Sequence, residues 1–396
     1  MRVLVTAPHP FYQERGSPVG VDMVLRALSE RGDAVDVLTY HEGADRHYPG
    51  VSLYRIPKPF GIRNVPPGPS FKKLICDVYL FASLVRRLRR NHYDVIHAVE
   101  ESAFMAMILK PMTSVPFVYD MDSALSTQIV EKYRILRPAR RLLRYIGSLP
   151  VRRAAAVAPV CESLANEVSA DAPGRVTVFR DISLLDAPSA VSPSQSLRDS
   201  LGISGTISMY VGDLEPSQGI ELLLESFARA HLQHKDGHLI LIGGTEKAIA
   251  YYKVYAGRFG MQQYVHFLGQ RPLTELGAYM AQADVLVSPC IRAPGTPMRL
   301  YSYLHSAVPV LATDLPIHNQ VLTPDIACLA PANVSRFSEA WVGLLRNLDG
   351  ARDMGRRGRA FAEREHSYET LRASVNTLYA QLDQHVVGRL SPPARL

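Results

Sequence analysis

Apolar residues fall into short runs along the first third of the chain, and stretches with helical spacing lie between them. Arg2–Thr6 is a β-rich run. Val21–Arg31 places Val24, Leu25 and Leu28 on one face and stops at Gly32. Strands are expected at Ala34–Thr39, Leu53–Ile56, Asp94–Ala98, Phe117–Met121, Ala154–Pro159 and Val176–Phe179. Helices are expected over Phe71–Arg90 and from Ser102. Alternating strands and helices predict a parallel sheet covered on both faces.

The pattern breaks at Asp186–Arg198, a stretch rich in Pro, Ser and Ala, and then restarts. Strands follow at Ile207–Val211, His238–Ile242, Tyr264–Leu268, Asp284–Ser288 and Val310–Ala312, with a helix over Ile220–Ala230. A last helix over Ser367–Leu382 puts Leu371, Val375, Leu378, Tyr379 and Leu382 on one stripe. The expected domains are 1–185, a linker at 186–203, 204–365, a closing helix at 366–385 and a tail at 386–396.

Composition narrows this picture. A chain of 396 residues suits two domains. Mean hydropathy near zero and 20% charged residues speak against disorder and against an integral membrane protein. The start of the chain reads as a buried strand rather than a signal peptide. The four cysteines are scattered, without metal spacing, and read as buried thiols.

The net charge of +7 permits an anionic partner. Arginines cluster between Arg134 and Arg153, interleaved with Leu136, Leu142, Leu143, Tyr145 and Ile146. Such a segment suits an anionic membrane surface, or is a solvated helix face. A nucleic-acid partner is not expected, because aromatic platforms and binding motifs are missing.

Ligands of open parallel sheets bind at the carboxyl ends of strands, and four loops there stand out. Gly16, Ser17 and Pro18 precede a helix and can offer N–H groups to a phosphate or a sugar, or form an ordinary turn. Asp122 follows the fifth strand and either grips a polar ligand or caps a helix. Gly212, Asp213, Gln218 and Gly219 form a glycine-bounded loop. Gly243 ends the next strand. In the fourth loop Thr296 reads as an N-cap, Pro297 as the first helical residue and Met298 as the next. Arg299 lies in that first turn, where a cation opposes the helix dipole unless an anion is near. The alternative is a solvated arginine.

These loops resemble those of glycosyltransferase family 4, the retaining GT-B enzymes. YVGDLEPSQGIELLLESF is similar to the family's strand, glycine loop and helix. ADVLVSPCIRAPGTPMRLYSYLHSAVPVLATD is similar to its donor motif, and RGSPVGVDMVLRALSERGDAVDVLT to its amino-terminal loop. The resemblance implies an α/β fold of GT-B type, with two Rossmann-like doubly wound parallel-sheet domains facing a cleft. It implies a nucleotide-sugar donor on the second domain, a glycan or lipid-linked acceptor on the first, retention, no obligatory metal and no cofactor beyond the co-substrate. It also implies a last helix that crosses back to the first domain.

The chain departs from the family pattern in five places. Pro294 and Ser302 stand where two glutamates are usual, Asp213 and Gln218 where Arg and Lys are usual, and Asp122 where a histidine is usual. The expectation is that Arg299, with Arg292, restores the missing positive charge. Ser302 would take the ribose contact, and Gly295 and Thr296 would offer N–H groups. Asp122 and Arg299 are then the catalytic candidates. The expected role is sugar transfer in cell-surface polysaccharide or glycolipid synthesis, in the cytoplasm or peripheral on the inner membrane face. The alternatives are a GT-B binding or regulatory protein without turnover and a sugar-nucleotide epimerase.

Overall fold

The computed structural model describes residues 1–13, 16–66, 68, 70–124, 138–186, 196–292 and 296–390, with side chains up to residue 384. Arg134, Leu136, Arg137, Pro294, Gly295, linker residues 187–195 and the end of the tail lie outside the described residues. The chain forms two compact units, Met1–Asp181 with Glu369–Leu396, and Ile182–Tyr368.

The first unit runs β1 (Arg2–Ala7), α1 (Gly16–Glu30), β2 (Ala34–Thr39), β3 (Val51–Arg55), α2 (Phe71–Arg90), β4 (Val95–Val99), α3 (Ser102–Thr113), β5 (Phe117–Met121), α4 (Arg140–Arg153), β6 (Ala156–Pro159) and α5 (Glu162–Val168). The second runs α6 (Leu197–Leu201), β7 (Ile207–Val211), α7 (Ile220–His231), β8 (His238–Ile242), α8 (Glu246–Gly257), β9 (Val265–Gly269), α9 (Leu273–Met280), β10 (Val285–Ser288), α10 (Arg299–His305), β11 (Val310–Thr313), α11 (Pro316–Asn319), β12 (Cys328–Ala330), α12 (Val334–Arg346) and α13 (Leu348–Glu365). Then α14 (Tyr368–Leu390) returns the chain to the first unit.

Both sheets are parallel and share one topology. The first has the order β3-β2-β1-β4-β5-β6, and the second reads β9-β8-β7-β10-β11-β12 from its far edge. Each is therefore a doubly wound 3-2-1-4-5-6 sheet. Central strands such as β4 (VIHAV) and β5 (FVYDM) are buried at every position, because helices cover both faces. In β7, Tyr210 packs into the core around Trp341, while Met209 and Val211 pack on the other face with Tyr303. Trp341 Nε1 donates to Ser208 Oγ at 2.8 Å, so a large indole is buried without an orphaned N–H.

Four expectations need correction. α1 begins at Gly16 rather than Val21, because Pro18 in a first turn forfeits no helical hydrogen bond. Val176–Phe179 is no strand; it lies along β6 through an isolated bridge from Val176 to Val157 and a bond from the Phe179 N–H to the Pro159 carbonyl. The expected linker is partly ordered structure, since Ser196 caps α6 and Leu197 and Ile203 enter the second core. The first unit ends at Asp181 rather than 185. Ser183 N–H bonds the His366 carbonyl at 2.9 Å, and Leu184 N–H bonds Ser302 Oγ at 3.0 Å, which ties this segment into the second unit.

Candidate donor and acceptor sites

The winding direction reverses between β1 and β4 in the first unit and between β7 and β10 in the second. Loops leaving strand ends at such a reversal diverge and open a crevice. The loops after β1, β7 and β10 all flank these points, and the loop after β5 lies one strand further out.

In the second unit the β7 and β10 loops are fastened together. The N–H groups of Ile291 and Arg292 both donate to the Ser217 carbonyl at 3.1 Å. Gly219 caps α7 at φ 73°, and a Cβ there would stand 2.0 Å from the Pro289 carbonyl oxygen. Gly212 has φ 152°, and a Cβ there would meet Arg299 Nη1 and Tyr210 Oη, each at 2.9 Å. Only glycine leaves room for the guanidinium. Gly243 packs its backbone against Gly212, with 2.2 Å between a built Cβ and the Gly212 carbonyl oxygen.

Arg299 occupies the space so made. Its Nη2 donates to Gln218 Oε1 at 2.7 Å, and its guanidinium carbon lies 5.1 Å from the centre of the Tyr210 ring. Its Nε is buried with no partner. Among the described residues no carboxylate forms an ion pair with it; Asp213 is exposed, with its backbone carbonyl accepting from Tyr210 Oη at 2.6 Å. Burial works against the charge of Arg299, while Tyr210, Tyr303, Cys290 and Asp213 favour it, and the net direction of its pKa is upward. A cation held partly out of water against neutral groups has unused capacity for an anion.

The start of α10 differs from expectation. Thr296 does not cap the helix, because its hydroxyl donates to the Ile317 carbonyl at 3.2 Å. Pro297 and Met298 precede the helix, with Met298 at the cap position, and Arg299 is its first residue. Arg292 is exposed. Ser302 is only 5% exposed, and its hydroxyl accepts the Leu184 N–H, so the structure turns it toward residues 182–186. One turn after Arg299, Tyr303 Oη accepts from Val211 N–H at 2.7 Å and donates to the Val211 carbonyl at 3.2 Å, pinning the end of β7. Nothing in the spacing of Tyr210, Tyr303 and Arg299 announces this cluster.

In the first unit Ser17, in the first turn of α1, acts on the Asp122 carboxylate 105 positions away in the sequence and draws its pKa down. Gly16, at φ 27°, opens the same turn of α1, and Pro18 is buried behind it. Burial, reinforced by Asp120, pushes Asp122 up to about 6, against the pull of Ser17, His97 and Lys73. The apolar strands hid further polar groups. Glu100 follows β4 with a positive φ of 50°, and its carboxylate accepts from Ser123 Oγ at 3.1 Å. Burial and then Asp122 push it well above the ordinary range. Asp77 is pushed up to about 7 by burial and Glu101, and Asp181 to about 8 by burial, Asp122 and Asp120. Lys73 Nζ pairs with Glu101 Oε1 at 2.6 Å. Carboxyls poised near neutral pH are suited to exchange protons with a hydroxyl-bearing ligand. Among the described residues no three His, Cys, Asp or Glu side chains converge on a point that would hold a metal ion.

Comparison with known proteins places this geometry. Two doubly wound halves of one topology make up the GT-B frame, and solved structures share it. Sucrose-phosphate synthase from Thermosynechococcus elongatus is 19% identical, with a TM-score of 0.76 over 97% of this chain and 99% of that one. Anabaena HepE, solved in complex with UDP, is 17% identical, with a TM-score of 0.74 over 96% and 100%. Residues 15–180 match the family model of the glycosyl transferase 4-like domain, and residues 205–347 that of the glycosyl transferases group 1. The phosphatidyl-myo-inositol mannosyltransferase of Mycobacterium leprae (strain TN) is 29% identical over 168 residues, which are 42% of this chain and 43% of that protein. The match thus spans less than half of that relative. The chain belongs to the GT-B glycosyltransferases of the family 4 type.

Proposed function

We propose that this chain is a retaining glycosyltransferase that moves a sugar from a nucleoside-diphosphate donor to a glycan or lipid-linked acceptor, without an obligatory metal. The observation that carries the reading is Arg299. Among the described residues it has no carboxylate partner, and it is seated on Gly212, bound to Gln218 and backed by Tyr210 at the reversal point of the second sheet. The donor diphosphate is the anion that fits. As the bond from anomeric carbon to diphosphate breaks, negative charge grows on the leaving oxygen, and a cation already in place stabilises it without reorganisation. The acceptor oxygen forms the new bond on the same face, and its proton passes to the departing diphosphate. Asp122, raised to about 6 by burial, is the partner of the acceptor hydroxyl in the first unit.

A lipid-linked acceptor is favoured by α4, whose Arg140, Arg141 and Arg144 are exposed beside Leu142, Tyr145 and Ile146. Such a face suits an anionic bilayer surface, and with it a place at the cytoplasmic side of the membrane in glycolipid or polysaccharide synthesis. The mannosyltransferase relative is named for a lipid substrate, which agrees with this reading. Among the described residues no helix is long and apolar enough to cross a membrane.

The test is thermal unfolding of the full chain with UDP, GDP, ADP and TDP and their sugars, UDP first because HepE binds it. A ligand at about 100 times its dissociation constant stabilises by about 2.7 kcal/mol. A shift with one nucleotide, lost in Arg299→Ala, is expected; silence across the panel overturns the reading. A second reading, a GT-B binding protein without turnover, is favoured by Pro294 and by Ser302, whose hydroxyl is committed to Leu184. Nucleotide binding with neither transfer nor donor hydrolysis would select it.

A further inference from the structure

Behind Asp122 lies a chain of buried hydrogen bonds that the transfer chemistry does not call on. Tyr379 Oη stands 3.0 Å from His97 Nδ1, and His97 Nε2 stands 3.1 Å from Asp120 Oδ2. The tyrosine and the imidazole are fully buried, and the carboxylate is 6% exposed. Phe179 and Tyr379 both stack on the imidazole, with ring centres 6.3 and 6.2 Å away, so the ring is held in orientation. The apolar stripe of α14 needs no hydroxyl for packing, yet the one it carries faces His97.

The proton positions follow from this geometry. Burial, then Asp33 and Asp120, drive the Tyr379 pKa far upward, so it remains a hydroxyl and can donate. If it donates to Nδ1, the ring hydrogen sits on Nε2 and points at Asp120. A buried N–H donor favours the anionic form of a carboxylate. We propose that Tyr379 and His97 are positioning residues: the tyrosine hydroxyl fixes the Nε2–H form of His97, and that N–H donates to the Asp120 carboxylate and orients it toward Asp122. The charge of Asp120 then helps Asp122 retain a proton within reach of neutral pH. The other groups acting on Asp122 are Ser17 from α1, Lys73 from α2, Glu100 just after β4, and Asp181. The inference rests on the reading of Asp122 as the acceptor's partner.

The experiment joins nitrogen-resolved NMR of the imidazoles with the pH profile of donor turnover, both on the full chain. In the wild type the neutral His97 ring is expected as the Nε2–H tautomer. Tyr379→Phe is expected to mix the two tautomers, lower kcat about tenfold with little change in KM, and move the acidic limb downward, because an Asp120 with a weakened donor presses less negative charge on Asp122. Asp120→Asn is expected to keep the Nε2–H form, since its amide carbonyl still accepts, and to move the limb downward. An Nδ1–H form in the wild type, an unchanged tautomer in Tyr379→Phe, or a limb that moves upward in either variant overturns the inference. If no donor turns over, the transferase reading has failed, and the tautomers alone decide the positioning. If Tyr379→Phe does not fold, the wild type and Asp120→Asn decide it.

Discussion

Arg299 donates to the side-chain carbonyl of Gln218 at 2.7 Å, across 81 positions of sequence. Family members commonly carry a cation in the loop where Gln218 stands. Here a guanidinium stands in the first turn of α10, the loop supplies a neutral amide that orients it, and Gly212 provides the room. On the proposed reading, Gln218 and Arg299 together serve in place of that cation.

A carboxylate at 218 would neutralise that charge from within. Gln218→Glu is expected to form an ion pair with Arg299, leave the unliganded protein as stable or more so, and raise the dissociation constant of the preferred nucleotide at least tenfold. A desolvated charge-assisted contact is worth about 1.5–3 kcal/mol. Calorimetric titration beside thermal unfolding checks this. Unchanged affinity would mean that the guanidinium does not meet the phosphates.

The fold was legible because both sheets are covered on each face. Their strands therefore stand out as apolar runs, and the two loops bearing Gly212 and Arg299 follow such runs directly. The start of α1 was not, because Gly16, Ser17 and Pro18 read as a loop when sterically they make a tolerable first turn. His97 sits inside a run that looks like pure core, and its partners Asp120 and Tyr379 come from β5 and α14. Ser17 and Asp122 were each visible, but their contact depends on tertiary packing. For Ser302 the resemblance marks the position, whereas the direction of the side chain depends on where residues 182–186 run.

That direction separates two roles. If the Ser302 hydroxyl serves Leu184, Ser302→Ala leaves a backbone N–H of the second unit unsatisfied. A loss of about 1–3 kcal/mol in unfolding free energy is expected, with nucleotide affinity within about twofold of wild type. A large loss of affinity with unchanged stability would restore the ribose contact.

Membrane attachment makes a separate demand. Reversing Arg140, Arg141 and Arg144 to glutamate removes three exposed cations from one turn and a half of α4 and adds three anions. Each basic residue near an anionic surface contributes about 1 kcal/mol. Co-sedimentation with phosphatidylglycerol vesicles is therefore expected to fall by more than a hundredfold in partition, and to weaken with salt in the wild type. Equal binding by the variant would remove the membrane from the proposal, while transfer to a soluble acceptor should survive in either case.

The two units should respond to pH in opposite directions. In the first, burial raises Asp122 to about 6, Asp77 to about 7 and Asp181 to about 8, and raises Glu100 as well. A carboxyl with a raised folded-state pKa binds its proton more tightly when folded. Its cost is therefore greatest above the folded value and fades as pH falls toward the unfolded value near 4. In the second unit, burial lowers His318 to about 4, and lowers His231, His238 and His266. A histidine with a lowered pKa favours the folded state above about 6.5, and that contribution is lost as pH falls from there toward the folded value. Between pH 8 and pH 5 the first unit should gain stability and the second should lose it. Native-state hydrogen exchange on peptides covering β4 and β7 reads each unit by itself. Exchange that slows in β4 and quickens in β7 on acidification is the expected outcome. A common direction would mean that these buried groups do not dominate the pH response.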